Sequence, residues 1–346
     1  MLAGLLLESQ GQQLSVSGFD YEVSAQVDVE VESAESGRVL VPGRLLADIT
    51  RSLPAQPVEV ATEGSRVTVS CGTTSFALPT MPVDEYPTLP ELPEAAGTMG
   101  SDAFAAAVTS VAIAAGRDDA LPVLTGVRIE IEGERLTLAA TDRYRLALRE
   151  LSWQPARTDI NAVALVPART LAETARSLTT GAEVTVAFAA DTGSPGDGMF
   201  GIVGSGRRTT TRLLEGEFPK YRSLLPTEFT GTATVDTAPL VEAVKRVALV
   251  AERTTPVRVS FGSGEAVLEA GGGDAAAARE AIDATFEGEG LTIAFNPQFL
   301  LDGLGVLDSD TAQLAFTGPT KPAVLTGKTT EAGDYRYLLM PVRLSG

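Results

Sequence analysis

The chain repeats itself at a spacing of more than a hundred residues, and this limits what it can fold into. The fourteen residues from Val41 to Pro54 share eight identities with those from Val166 to Thr179, an offset of 125. A fainter third copy runs from Phe295 to Leu304. Each copy reads as a helix with a proline (Pro42, Pro167, Pro297) at or near its first turn. A second block agrees. Leu2 to Asp20 lines up with Leu124 to Asp142 at an offset of 122, each alternating apolar and polar residues around a glycine turn. Val257 to Leu268 is its fainter third copy. Repeats this long are duplicated domains rather than solenoid units.

Proline-rich joints from Pro79 to Pro93 and from Phe218 to Pro226 punctuate the repeats. They set expected domains at 1–95, 96–229 and 230–346. Short alternating strands dominate, as at Val67–Val69, Leu136–Leu138 and Val184–Phe188, with few helical segments, so the fold class is α+β. Gly193 to Gly198 reads as a loop, and the run Gly271 to Gly273 as a turn. Helical stretches at 102–116 and 239–252 precede the second and third hairpins. The first has none before it, so domain 1 is expected to lack its opening strand and helix.

Composition removes several functions. Histidine is absent and Cys71 is the lone cysteine. That excludes Cys/His zinc sites, Ser-His and Cys-His nucleophile pairs, and an internal disulfide. No GxxxxGK[ST] phosphate loop is present. Carboxylates are plentiful, which leaves a β-rich paired-carboxylate enzyme open, but no constellation supports one. No apolar run reaches the roughly 18 residues that span a bilayer. The start, Met1 to Leu7, has no basic region before it and reads as a core strand. The formal net charge of −18 argues against general affinity for nucleic acid, so a DNA role must rest on local charge or on topology.

Four segments carry a resemblance. They are Ala140 to Ala147 (Ala-Thr-Asp-Arg-Tyr-Arg-Leu-Ala), Glu217 to Arg222, the helix start Phe295-Asn296-Pro297, and the tail Met340-Pro341-Val342-Arg343-Leu344. Occurring together, in order, on a threefold repeat, they resemble the bacterial DNA polymerase III beta subunit, the sliding clamp. The Gly318 to Pro322 turn and the Ser345-Gly346 end resemble its high-GC Gram-positive version.

The resemblance implies three similar clamp domains, each with two helices and two antiparallel sheets. Two chains would join head to tail into a ring, with helices facing the hole. The implied function is non-enzymatic. The ring would encircle double-stranded DNA without reading sequence and tether the DNA polymerase III alpha subunit and other clamp-binding-motif proteins. A clamp loader would open it. No cofactor, metal or membrane is implied, and the compartment would be the cytoplasm. A truncated or paralogous clamp, binding partner peptides or pocket-directed inhibitors without a functional ring, is the alternative.

Carried over residue by residue, the implied peptide pocket comprises Leu124, Thr141, Arg145, Leu146, Pro219, Leu224, Leu338, Met340, Pro341, Val342 and Arg343. Leu146, Leu224, Leu338 and Met340 would receive leucine or phenylalanine side chains, and Arg145 and Arg343 would orient peptide carbonyls or acidic groups. Family members often carry Gly-His where Arg143-Tyr144 stand, and arginine where Ser223 stands. The expected DNA-facing cations are Arg44, Arg51, Arg117, Arg169, Arg176, Lys245, Arg246 and Arg253. They lie on four of five candidate lining helices (42–53, 101–117, 166–178 and 237–253, the fifth being 295–307), and over all five the basic residues exceed the acidic ones by two, in an otherwise acidic chain. Leu249 and Val250 match apolar positions of the dimer interface, with intradomain core as the competing reading.

Overall fold

The structure is a computed structural model. It describes residues 3–33, 35–178, 180–188, 198–251, 255–262, 264–272, 276–328 and 335–343.

The first repeat forms β1 (Gly4–Gln10), β2 (Gln13–Phe19), β3 (Val23–Glu30), β4 (Gly37–Pro42), α1 (Gly43–Ser52), β5 (Val58–Glu63), β6 (Arg66–Cys71) and β7 (Thr74–Pro79). The second forms β8 (Ala95–Gly100), α2 (Ser101–Ala112), β9 (Gly126–Glu132), β10 (Arg135–Thr141), β11 (Arg145–Ser152) and the short β12 (Gln154–Pro155). It continues through β13 (Asn161–Pro167), α3 (Ala168–Arg176), β14 (Glu183–Phe188), β15 (Met199–Gly204) and β16 (Arg207–Arg212). The third opens with β17 (Gly231–Asp236), α4 (Thr237–Val247), β18 (Val257–Phe261), β19 (Glu265–Gly271), β20 (Ala277–Asp283) and β21 (Thr285–Gly288). It closes with β22 (Leu291–Phe295), α5 (Pro297–Gly305), β23 (Thr311–Phe316), β24 (Ala323–Gly327) and β25 (Tyr335–Leu339).

The expected hairpins are present. In β1–β2, Leu6 faces Ser17 and Gln10 faces Gln13; β9–β10 and β18–β19 repeat the arrangement. The β15–β16 turn is closed by Ser205 and Gly206, both at positive φ (53° and 71°), the two-residue geometry that matches strand twist. The repeated prolines do what their spacing predicts. Pro42 caps α1 and Pro297 occupies the first turn of α5, where a missing N–H costs nothing. Among the described residues, the first repeat has no counterpart of the β8–α2 and β17–α4 openers. The expected helix 237–253 ends earlier, as α4 followed by a 3-10 turn at Ala248–Val250. Apart from Gly198, the Gly193 to Gly198 loop lies outside the described residues, as do Gly273 and Leu344.

Compact units by contact cut across the sequence repeats. One unit comprises 1–102 and 177–213, the other 103–176 and 214–346. The reason is strand pairing between repeats. In the first unit, β16 pairs antiparallel with β3, Arg207 facing Val27, so the strands run in the order β8-β14-β15-β16-β3-β2-β1-β4. In the second, β11 pairs antiparallel with β25, giving β13-β9-β10-β11-β25-β24-β23-β17-β21. Joining half-sheets in this way removes edges that would otherwise offer unpaired N–H and C=O groups. Two smaller sheets remain, β5-β6-β7 in the first unit and β20-β19-β18-β22 in the second.

The first unit is cored by Leu7, Val41, Leu46, Ile49, Val67, Val69 and Leu78, with Leu46 and Ile49 bringing one face of α1 onto the strands. In the second, α4 lies against α5, β19 and β20, burying Leu240, Ala243, Val244 and Val247 at helical spacing.

Candidate functional site

Pairing of β11 with β25 builds the site. Arg145 faces Leu339 and Leu146 faces Leu338, so two segments almost two hundred residues apart become neighbours. Beyond β25, the Met340 N–H donates to the Tyr144 carbonyl (2.9 Å) and the Val342 N–H to the Ala294 carbonyl (2.8 Å). These bonds hold the tail in an extended path instead of leaving it frayed.

Leu146 and Leu338 belong to one apolar cluster with Ala139, Leu148, Leu165, Phe218, Tyr221 and Val324, edged by Val123, Leu214 and Leu225. Both leucines are buried, so they form the floor rather than the walls. Leu124 is buried beside the edge residue Val123, in the 3-10 turn Pro122–Thr125. Two large apolar side chains stay out in solvent, Leu224 (49% exposed) and Met340 (39%). Pro219, Pro341 and Val342 are half-buried and Arg343 is exposed. Phe218, Tyr221, Val123, Leu214 and Leu225 were not anticipated. Phe218 and Tyr221 lie inside a recognised motif, and only their side-chain direction was missing.

The segment Phe218 to Leu224 is anchored by a buried acid. The Glu130 carboxylate accepts from Tyr221 Oη (2.9 Å), Arg222 (2.6 Å) and Arg128 Nε (2.6 Å). Burial alone would raise the Glu130 carboxyl. Hydrogen bonds from Arg222, Arg128 and Tyr221 outweigh it and hold the group below the usual carboxylate value. Burial, together with the neighbouring Glu130 charge, pushes the Tyr221 hydroxyl well up, so it remains a donor.

Two residues of the expected pocket are engaged within the chain. Arg145 is one of them. Its side chain is only 6% exposed, and its guanidinium donates to Asp142 (2.9 Å) and Asp302 (2.6 Å) and stacks over Phe299, 4.3 Å from the ring centre. These bonds use its Nε and Nη1 donors and fix the plane of the guanidinium. Thr141 is likewise spent within its turn. Its Oγ1 donates to the Arg145 carbonyl (2.6 Å) and accepts from the Arg143 N–H (3.3 Å). Arg143 sits at φ 79°, and Asp142 holds the turn by accepting from the Tyr144 and Arg145 N–H groups. Tyr144, where the family often has histidine, is exposed and lies 6.3 Å from Phe299, ring to ring.

The expected DNA-facing cations divide. Arg51, Arg169, Lys245 and Arg246 are paired with Asp48, Glu173, Glu242 and Glu280. Arg44, Arg117 and Arg176 are exposed, with no ion pair among the described residues. Arg253 lies outside the described residues. Leu249 is 84% exposed in the single chain, which contradicts the intradomain-core reading, while Val250 is half-buried. No group of His, Cys, Asp and Glu among the described residues could hold a metal.

Threefold repetition, half-sheets joined between repeats, and an apolar shelf at the β11–β25 joint define a sliding-clamp architecture. Three models of the DNA polymerase III beta subunit match consecutively: the N-terminal domain over residues 1–90, the central domain over 98–220 and the C-terminal domain over 222–343. A beta sliding clamp of Streptomyces coelicolor is 61% identical over all of this chain and 93% of its own length. The beta sliding clamp homolog GriR of Streptomyces muensis is 48% identical over 99% of the chain and 92% of its own. The solved sliding clamp of Pseudomonas aeruginosa bound to griselimycin superposes with a TM-score of 0.89 at 28% identity, covering 99% of this chain and 92% of that one. The chain belongs to the DNA polymerase III beta subunit family, the sliding clamps, in its high-GC Gram-positive form.

Proposed function

We propose that two copies of this chain close a ring around duplex DNA and hold partner proteins through the shelf at the β11–β25 joint. The observation that carries the partner site is a buried apolar floor (Leu146, Leu338) in a cluster bordered by segments that leave Leu224 and Met340 in solvent. A peptide offering leucine and phenylalanine side chains would bury that apolar surface, and methionine accommodates varied shapes at little cost. Pro219, Pro341, Val342 and Arg343 flank the same surface. Peptide backbone would be met at the rim by the exposed Arg343.

The pattern of joints supports ring closure. Between consecutive repeats the same strand positions pair, β16 with β3 and β25 with β11. In the two smaller sheets those positions fall to β7 and β20, each at one end of its sheet. In the proposed ring, β20 of one copy pairs antiparallel with β7 of the next, with Leu249 and Val250 nearby. Head-to-tail closure of both joints gives a dimer in which neither β7 nor β20 is left as an edge. The polymerase III alpha subunit and other motif-bearing proteins would be tethered in trans, where raised local concentration makes modest peptide affinity sufficient. The chain itself performs no chemistry in this reading. Opening falls to a separate loader, and the setting is the cytoplasm. Among the described residues no helix is long and apolar enough to cross a membrane.

The test is fluorescence anisotropy with a labelled hexapeptide carrying adjacent leucine and phenylalanine. Met340→Asp and Leu224→Asp should each weaken binding at least about tenfold, or roughly 1.4 kcal/mol, with melting temperature little changed. Unaltered binding in both variants would contradict the site.

A further inference from the structure

Arg145 stands at a junction. The residue before it, Tyr144, receives the Met340 N–H, and the residue after it, Leu146, is the pocket floor. Its guanidinium reaches the other way, to α5. It donates to Asp302 Oδ2 at 2.6 Å and to the Tyr337 hydroxyl at 3.4 Å, and lies over the Phe299 ring. Tyr337, on β25, donates in turn to the Phe299 carbonyl at 2.8 Å. The second Asp302 oxygen accepts from Gln298 at 2.7 Å. Both strands that make the pocket floor are therefore fastened to α5 through one buried cation and one buried hydroxyl.

We propose that the Arg145–Asp302 pair is a positioning device that couples occupancy of the peptide pocket to helix α5. The proposal rests on the pocket reading above. Neither residue needs to touch the peptide. A buried guanidinium with two carboxylates has one low-energy position, and loss of one carboxylate leaves an under-compensated charge that must shift or recruit water. That shift moves Tyr144 and Leu146, its chain neighbours, and with them the Met340 end of the shelf. Coupling between two sites is reciprocal, so a peptide that fixes the shelf also fixes α5. Since α5 is one of the five helices expected to face the hole, DNA beside it and a partner in the pocket would sense one another.

The experiment uses the full chain and the same labelled leucine-phenylalanine hexapeptide, with hydrogen exchange of the α5 amides as a second readout. Asp302→Asn keeps the shape and removes the charge. It is expected to weaken peptide binding about tenfold, within the usual range for coupled sites, and Asp302→Glu to restore most of the loss. In the wild type, peptide should slow exchange at Leu300 to Leu304; in Asp302→Asn it should not. Val259→Ala, a core change on β18, controls for stability and should lower the melting temperature while leaving affinity within about twofold. Wild-type affinity in Asp302→Asn, equal losses in Asp302→Asn and Val259→Ala, or no change in wild-type α5 exchange would overturn the coupling. If the wild type binds no peptide, or Met340→Asp binds as well as the wild type, the pocket reading fails and the coupling fails with it.

Discussion

Glu130 shows how one position acquires different roles in different repeats. In the alignment of hairpins it matches Glu8, which stays exposed on β1, whereas Glu130 is buried under Tyr221 and Arg222. Burial pushes its carboxyl up, the three donors push it down, and the net value lies below the usual carboxylate value of 4.5. A folded-state pKa lowered in this way contributes stability that is fully present above the unfolded value. It is lost as pH falls through the folded one. Thermal melts and peptide binding should therefore be flat from pH 8 to about 5, then decline together below about 4.5. Glu130→Gln should flatten that decline and cost about 1–2 kcal/mol at neutral pH, a range discounted for the partly exposed arginines. A wild-type acid limb that Glu130→Gln reproduces unchanged would contradict the assignment. The motif Glu217 to Arg222 was legible in the sequence, but its anchor was not. A carboxylate in an alternating strand reads as solvent-facing until another segment covers it. The partner of Arg145 was not legible for the same reason. A charged residue beside a pocket motif suggests a ligand contact, and only the fold brings Asp302, 157 positions away, to occupy it.

At the level of elements, helix starts were legible because they depend on local chemistry. Asn296 caps α5 by accepting from the Gln298 and Phe299 N–H groups at 2.9 and 3.2 Å, with Pro297 next to it. Asn296→Ala should cost about 1 kcal/mol, read as a shift of the denaturant midpoint with unchanged slope. Leu46→Ala on α1, in the first-unit core, should cost more, about 2–5 kcal/mol. Hairpins were legible too, since turn glycine and alternation lie within twenty residues. Pairing between repeats was not. β3 and β16 meet across some 180 residues, and what links them inside the sheet includes a buried Ser24–Thr210 hydroxyl contact at 2.6 Å. Neither residue type signals a long-range joint. The free β20 edge gives a prediction at the same scale. Ala281→Pro removes a backbone donor and stiffens the strand, so it should weaken self-association while Glu265→Pro, on the neighbouring β19, should damage folding itself.

For the whole molecule, charge and closure decide behaviour. The chain is strongly acidic, and four of the seven described candidate cations are already engaged with carboxylates. Few phosphate contacts remain available, so residual DNA affinity should vary only weakly with salt; each phosphate contact contributes about 0.9 to the logarithmic slope. Holding DNA must then come from closure. Light scattering across a dilution series should report a particle near 72 kDa, twice the 36.0 kDa chain, and Leu249→Asp should move it toward 36 kDa. A monomer at every concentration would contradict ring closure by this chain.

Topology gives the most direct test. With a clamp loader and ATP, labelled protein is placed on nicked circular duplex and separated by gel filtration. A restriction enzyme then cuts the circle once. Encirclement predicts that protein travels with the circle, survives high salt, and leaves within minutes of the cut by sliding off the ends. Retention on the linear product equal to that on the circle would show binding by surface contact and would contradict the account.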